Sequence, residues 1–550
     1  MPSAVVVAPL IFPLLGAGAI TALGLAGIDI GRGVASVAVL ASLIALVVVW
    51  VAVRTTQELV LGQLGFGSSL DVRIDAVAFV FGLLVTAPAA ILLRLQKRTW
   101  QEAALTTLLV GAALGAIEAG DILLTAIAGG TAATLAVVLL ETEDPAAHRP
   151  SWAILLAAWL ALAWVGVILQ VRGGTAVYSA VPVSAVTPAV FALLAAAALL
   201  ASGLFPWRTW PTQLWSRPKF TAAGVTVSAL FPLGLYLLVR AYELGDGRYP
   251  HVAFNALLGV AGLAVALASA LRAQAAADRR GFLANVVPGF GGFALMSIAM
   301  GTPLGLVAGL TMLVTAAALI ACISLLPDRA NLGFLVTVAA AVGLPPGVAF
   351  GSRVLGIEST FEAGNFFGLI GVAGVVTWAA WMVGSARSLG LPMAAAEPGN
   401  QSLAPFATGI ALLTIAAGPA LATIQYGLAN PVAAEVMPAG VGSLGGRLST
   451  VVTTSSVLPV LTLFLPLLLI GVVGYALAGA PRIRSESRVA VLSTPSSQLW
   501  TRLGETARAA RVPEQYRSLI DLARLEAAAI SGRPLLWLGA LVALAFAVTR

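Results

Sequence analysis

Apolar runs long enough to cross a bilayer follow one another along almost the whole chain, and most hold no Lys, Asp, Glu or His. A spanning helix needs about 20 such residues. Only 10% of the 550 residues are charged, where a soluble domain carries about a quarter, and the mean hydropathy is +0.99. A soluble helical solenoid would need polar faces that this sequence lacks. The reading is an all-α polytopic membrane protein of about 16 transmembrane helices. They are expected near 4–26, 33–53, 75–96, 103–119, 121–141, 153–171, 182–216, 220–240, 252–272, 282–301, 303–326, 331–357, 364–384, 405–425, 456–480 and 534–549.

Charges set the expected orientation. With the N-terminus and C-terminus both outside, 22 of the 30 Lys and Arg residues face inward, among them Arg94, Lys97, Arg98, Arg272, Arg279, Arg280 and Arg387. That is the positive-inside bias of a protein in the cell (inner) membrane. The net charge of +7 is then a topology signal. No basic patch interleaved with aromatics argues for nucleic acid. The start of the chain has no basic n-region, so the first run reads as a retained helix.

The single cysteine, Cys322, lies in an apolar helix and excludes disulfides or iron–sulfur ligation from this chain alone. His148 and His251 fall in loops on opposite sides, so they cannot share a haem or metal. No cofactor, no metal and no catalytic constellation is expected: the sequence offers no nucleophile with a base, carboxylate pair or phosphate-binding glycine loop.

Two spans are interrupted, by Phe205-Pro206-Trp207-Arg208-Thr209-Trp210-Pro211 and by Gly343-Leu344-Pro345-Pro346-Gly347. Proline removes a helical donor and clashes with the preceding turn, and such breaks belong inside protein or beside a cavity. Paired breaks five spans apart point to repeated transporter bundles. Leu499, Trp500, Leu503, Tyr516, Leu519, Ile520, Leu522 and Leu525 give residues 481–530 the spacing of an amphipathic helix along the membrane surface, divided at Pro513.

At the breaks the sequence resembles the antiporter-like membrane subunits of respiratory complex I (NADH-quinone oxidoreductase), membrane-bound hydrogenases and multisubunit cation/proton antiporters, as a divergent member. Leu64-Gly65-Phe66-Gly67 through Asp75 resembles the family's strand-like lead into its third helix, and Ala119-Gly120-Asp121-Ile122-Leu123-Leu124 its G-D-L-L start of helix five. Phe205 to Pro211 resembles, with one residue fewer, the P-x-x-x-W-x-P of broken helix seven. Asp278-Arg279-Arg280-Gly281-Phe282-Leu283-Ala284 and Gly301-Thr302-Pro303-Leu304 follow in order, and Gly343 to Arg353 resembles broken helix twelve.

The resemblance implies N-terminal helices over 1–120 and a first antiporter-like repeat over 121–240, broken at 205–211. A second repeat over 252–384 is broken at 343–353. C-terminal helices follow over 405–480, then the cytoplasmic-side amphipathic segment 481–530 and a last span at 534–549. It also implies other membrane subunits as partners within the lipid bilayer.

Against the family pattern, the ionisable residues are missing. The helix-five glutamate position falls on or beside Gly130, the helix-seven lysine on Ala201, and the helix-eight lysine or histidine near Pro232. In helix eleven the histidine and lysine positions fall on Ala316 and Ile320; only the helix-twelve position stays charged, as Arg353. A proton path needs groups that titrate near working pH; Ala, Gly and Ile cannot, and a guanidinium stays protonated.

Arg353 is expected to pair with Glu358, Glu362 or a partner subunit, or to snorkel. Asp121 and Glu118 are expected at a solvated membrane edge, and Thr125, Thr131, Thr134 and Thr315 to bond carbonyls four residues back. The expected function is a charge-depleted, non-pumping, non-catalytic subunit of an ion-translocating redox complex. The alternatives are an active proton or cation antiporter subunit, or a membrane partner in inorganic-carbon uptake.

Overall fold

The computed structural model describes residues 5–28, 31–65, 68–96, 98–143, 150–204, 210–215, 223–327, 331–391 and 401–438. The expected spans at 456–480 and 534–549 and the amphipathic segment 481–530 lie outside the described residues, as does His148.

Helices α1 (Ala8–Leu25) and α2 (Gly31–Val53) lead into an antiparallel hairpin, β1 (Gln57–Gly65) and β2 (Ser68–Ile74). Then follow α3 (Ala76–Leu95), α4 (Trp100–Ile117), α5 (Ile122–Glu143) and α6 (Pro150–Gly173). The first broken span is α7 (Pro188–Ser202) with α8 (Trp210–Trp215); α9 (Ala223–Leu244) and α10 (Val252–Gln274) come next. One further span combines α11 (Arg279–Leu283) and α12 (Val286–Ile298), before α13 (Pro303–Leu325). The second broken span is α14 (Asn331–Val342) with α15 (Val348–Glu362), followed by α16 (Asn365–Ser388). A last span, bent by 51°, runs from α17 (Ala404–Ala416) through α18 (Leu421–Ile424) to α19 (Asn430–Val436).

Eleven of these spans are unbroken, two are broken and one is bent. Among the described residues, eleven helices are long enough and apolar enough to cross a membrane, twelve with the bent pair, and the shorter apolar helices α7 and α14 lie where two further crossings are expected. The fold is an all-α polytopic membrane architecture, with the hairpin as its one strand pair among the described residues.

Helix starts follow local chemistry. Thr99 and Glu102 form a capping box at α4. The Asp278 carboxylate accepts from Gly281 N at 2.7 Å to open α11. At α13, Gly301 turns the chain at φ +68°, the Thr302 hydroxyl accepts from Gly305 N, and Pro303 sits where a missing N–H costs nothing.

The core lies along α3, α9, α12 and α13. Helix α9 is buried throughout apart from Glu243, and all of α12 is buried. By contrast, α1, α2 and α10 leave Leu15, Leu25, Val37, Val51, Leu257 and Val260 exposed, as a lipid-facing rim does. Small residues permit the tightest crossings. A Cβ on Gly262 of α10 would lie 2.6 Å from Gly292 O, and one on Gly292 of α12 2.6 Å from Gly262 O. As expected, Thr125, Thr131, Thr134 and Thr315 each donate to the carbonyl four residues back.

Candidate functional site

The charged side chains in the described spans cluster within four residues of span ends, with Arg353 the exception. Two arrangements result: an ionic knot at the hairpin end of the bundle, and a clamp at the second helix break.

The knot begins with Asp75, the N-cap of α3, whose Oδ1 accepts from Ala78 N at 2.7 Å. That position places the carboxylate against α9. Arg240 donates to both its oxygens, Nη2 to Oδ1 at 2.9 Å and Nη1 to Oδ2 at 2.6 Å. Arg240 also reaches Glu243 at 2.8 Å and, through Nε, the Tyr236 hydroxyl, which in turn donates to Ile117 O. From β2, Arg73 lies 2.9 Å from Asp75 and bonds Glu243 at 2.6 Å and Glu435 of α19 at 3.2 Å. The second Glu435 oxygen accepts from Ala76 N. Two cations and three carboxylates thus tie β2, α3, α9 and α19 together. The sequence reading missed this knot. Arg240 and Glu243 three residues apart, and Asp75 before an apolar run, were its only local signals.

Beside the knot, the hairpin covers the α4–α5 turn. Arg73 N donates to Glu118 O at 2.6 Å and Gly120 N to Asp71 O. Asp121 caps α5, accepting from Leu123 N at 2.6 Å, and takes a bond from the Ser68 hydroxyl. Both Asp121 and Glu118 sit at helix ends, yet they are 0% and 1% exposed. The expected solvation is therefore wrong, because a β-hairpin distant in the helix count closes over them. Asp71 packs on Gly120. Burial, then the nearby Glu58 and Asp121 carboxylates, pushes its carboxyl up to about 6.

The clamp closes the broken span α14–α15. An α-helix leaves its last four carbonyls without intrahelical partners, here those of residues 339–342. Gly343, at φ +76°, turns the chain so that its N–H bonds Ala340 O and that of Leu344 bonds Ala339 O. The other two carbonyls are met by side chains. Arg353 reaches back from α15 to Ala341 O at 2.8 Å and to Val342 O, and the Trp378 indole also bonds Val342 O at 2.8 Å. The guanidinium carbon lies 4.5 Å from the Phe290 ring centre, 5.3 Å from Phe293 and 5.6 Å from Trp378.

Arg353 is 1% exposed. It neither snorkels nor pairs with Glu358 or Glu362 as the sequence reading expected, because the break brings carbonyls closer than any carboxylate. Glu358 is half-buried, near the far end of α15. The first break uses the same device without a charge: the Trp210 indole donates to Ala201 O at 3.2 Å. Residues 205–209 of that break lie outside the described residues.

The other residues that the sequence reading aligned with the family's ion path are apolar and largely out of solvent. Ala201, Pro232, Ala316 and Ile320 are buried, and Gly130 is half-buried beside Trp159. Among the described residues no three His, Cys, Asp or Glu side chains converge to hold a metal.

The fold matches solved structures. A chain of the Mrp complex from Dietzia sp. superposes at a TM-score of 0.68 and 20% identity, over 100% of this chain and 63% of that one. The fold is that of the antiporter-like membrane subunits. A chain of the membrane-bound sulfane sulfur reductase, an archaeal respiratory membrane complex, gives a TM-score of 0.61 at 17% identity over 75% of this chain and 76% of that one. One of respiratory complex I from Thermus thermophilus gives 0.61 at 18% identity over 81% of this chain and 100% of that one. The chain thus spans 63% of the length of the Mrp-complex chain. No protein-family model and no curated protein sequence matches it.

Proposed function

We propose that this chain is a charge-depleted membrane subunit of a multi-subunit ion-translocating or redox complex, which docks to neighbouring subunits and does not itself conduct protons. The fold supports the general kind. The observation that carries the finer reading is the occupancy of the two helix breaks. At the first, Ala201 stands where the family has lysine, its carbonyl held by an indole. At the second, the cation is a guanidinium already bonded to backbone. A relay must release and rebind protons. Arginine keeps its proton, and the apolar side chains at the remaining positions have none to give.

The positive-inside bias supports an orientation with the hairpin end outside, opposite Arg94, Arg272, Arg279 and Arg280. Proteoliposomes holding the purified chain and a trapped pH dye test the reading. Under an imposed pH gradient or membrane potential, proton flux at the level of protein-free vesicles is expected, and sustained flux above it refutes the non-conducting role. Purification under native conditions with mass spectrometry should recover further membrane subunits.

A further inference from the structure

We propose that the break between α14 and α15 is a cation-binding seat, and that this chain fills it permanently with its own Arg353. The inference deepens the non-conducting reading and rests on it in one respect: only a break that is not a titrating station holds a fixed charge.

Four features build the seat. The helix α14 ends inside the bundle, and the C-terminal end of a helix carries roughly half a negative charge. Its backbone turn through Gly343 and Leu344 satisfies only two of the last four carbonyls, leaving those of Ala341 and Val342 to the guanidinium and the Trp378 indole. Phe290 and Phe293 present rings within cation–π distance. Finally, Gly343 leaves room: a Cβ there would stand 2.7 Å from Arg353 Nη1.

Among the described residues no carboxylate takes part: the guanidinium bonds the Ala341 and Val342 carbonyls and packs on aromatic rings. A buried arginine without a counter-ion is costly in a membrane, so the carbonyls and rings must hold the charge. Discontinuous helices of transporters use carbonyl ends in this way to coordinate a travelling cation. Here the cation is tethered by its own side chain and cannot leave. A fixed positive charge also repels a second one at the same depth, so the side chain plugs the break.

The seat predicts chemical rescue. The full chain, purified in detergent, is compared as wild type, Arg353→Ala, Arg353→Gln and Arg353→Lys by thermal unfolding. Millimolar guanidinium or methylguanidinium is added, with sodium and tetramethylammonium at equal ionic strength as controls. Arg353→Ala is expected to lose stability and regain much of it with the guanidinium ions alone, while wild type gains nothing. Lysine should retain more stability than the neutral donor glutamine. Failure of guanidinium to rescue, rescue by every cation alike, or glutamine matching wild type would overturn the seat.

Should Arg353→Ala not accumulate, the order of the lysine and glutamine variants decides by itself. Flux through the wild-type chain would count against the non-conducting reading, whereas absence of rescue counts against the seat, so the two failures are distinguishable.

Discussion

Asp75→Asn offers the sharpest test of what holds the hairpin end together. The substitution keeps size and leaves an oxygen to cap α3, but removes the charge that faces Arg240 and Arg73. Both Asp75 and Arg240 are essentially unexposed, at 0% and 1%, so solvent screens little of the effect. Breaking a buried ion pair from one side typically costs about 3–5 kcal/mol, because the other charge stays buried. Glu243 and Glu435 still face the arginines, so the lower half of that range is expected. Asp75→Ala should cost about 1 kcal/mol more through the lost cap.

The assay is equilibrium unfolding in mixed micelles of rising denaturing-detergent fraction, run as a double-mutant cycle with Arg240→Gln. Each single variant strands a charge that the double variant does not. A coupling energy of about 2–3 kcal/mol is therefore expected. Additivity within about 0.5 kcal/mol would show that the two side chains do not interact as the geometry says.

Other predictions follow from the same geometry. Asp71 binds its proton more tightly folded than unfolded, at about 6 against 3.8, so its contribution to stability is present below pH 4 and lost as pH rises to 6. Asp71→Asn should flatten that part of a pH–stability profile. Gly343→Ala should cost about 1–2 kcal/mol for the left-handed backbone alone, and more from contact with Arg353, read by thermal unfolding. Trp210→Phe leaves Ala201 O without its indole donor and should cost about 1–3 kcal/mol. Gly262→Val should push α10 from α12, lowering detergent-extracted yield, whereas Gly18→Val, which meets nothing within 4 Å, should not.

Span positions were legible because hydrocarbon imposes length and apolarity on each segment separately, so α1 to α16 announce themselves one at a time. The second break was legible for a similar local reason, since the adjacent Pro345 and Pro346 have no backbone N–H with which to continue α14. The partners of Arg353 were not. Glu358 and Glu362 lie only five and nine residues further along the sequence, whereas Ala341, Val342 and Trp378 become neighbours only once the chain turns back at Gly343. Glu118 and Asp121 also looked like rim residues, because nothing near them in sequence reveals that β2 will cover them.

Composition and periodicity alone determined that this chain is a multi-pass membrane bundle of helices, and that few of its residues are charged, 10% of the 550. Both depend on side-chain chemistry counted along one dimension. The tertiary structure decided where the few remaining charges spend their interactions. Asp75 meets Arg240 across 165 residues, and Arg353 meets a carbonyl end created by a turn. Electrostatics in a low dielectric is fixed by distances of a few ångströms, which only the folded chain defines.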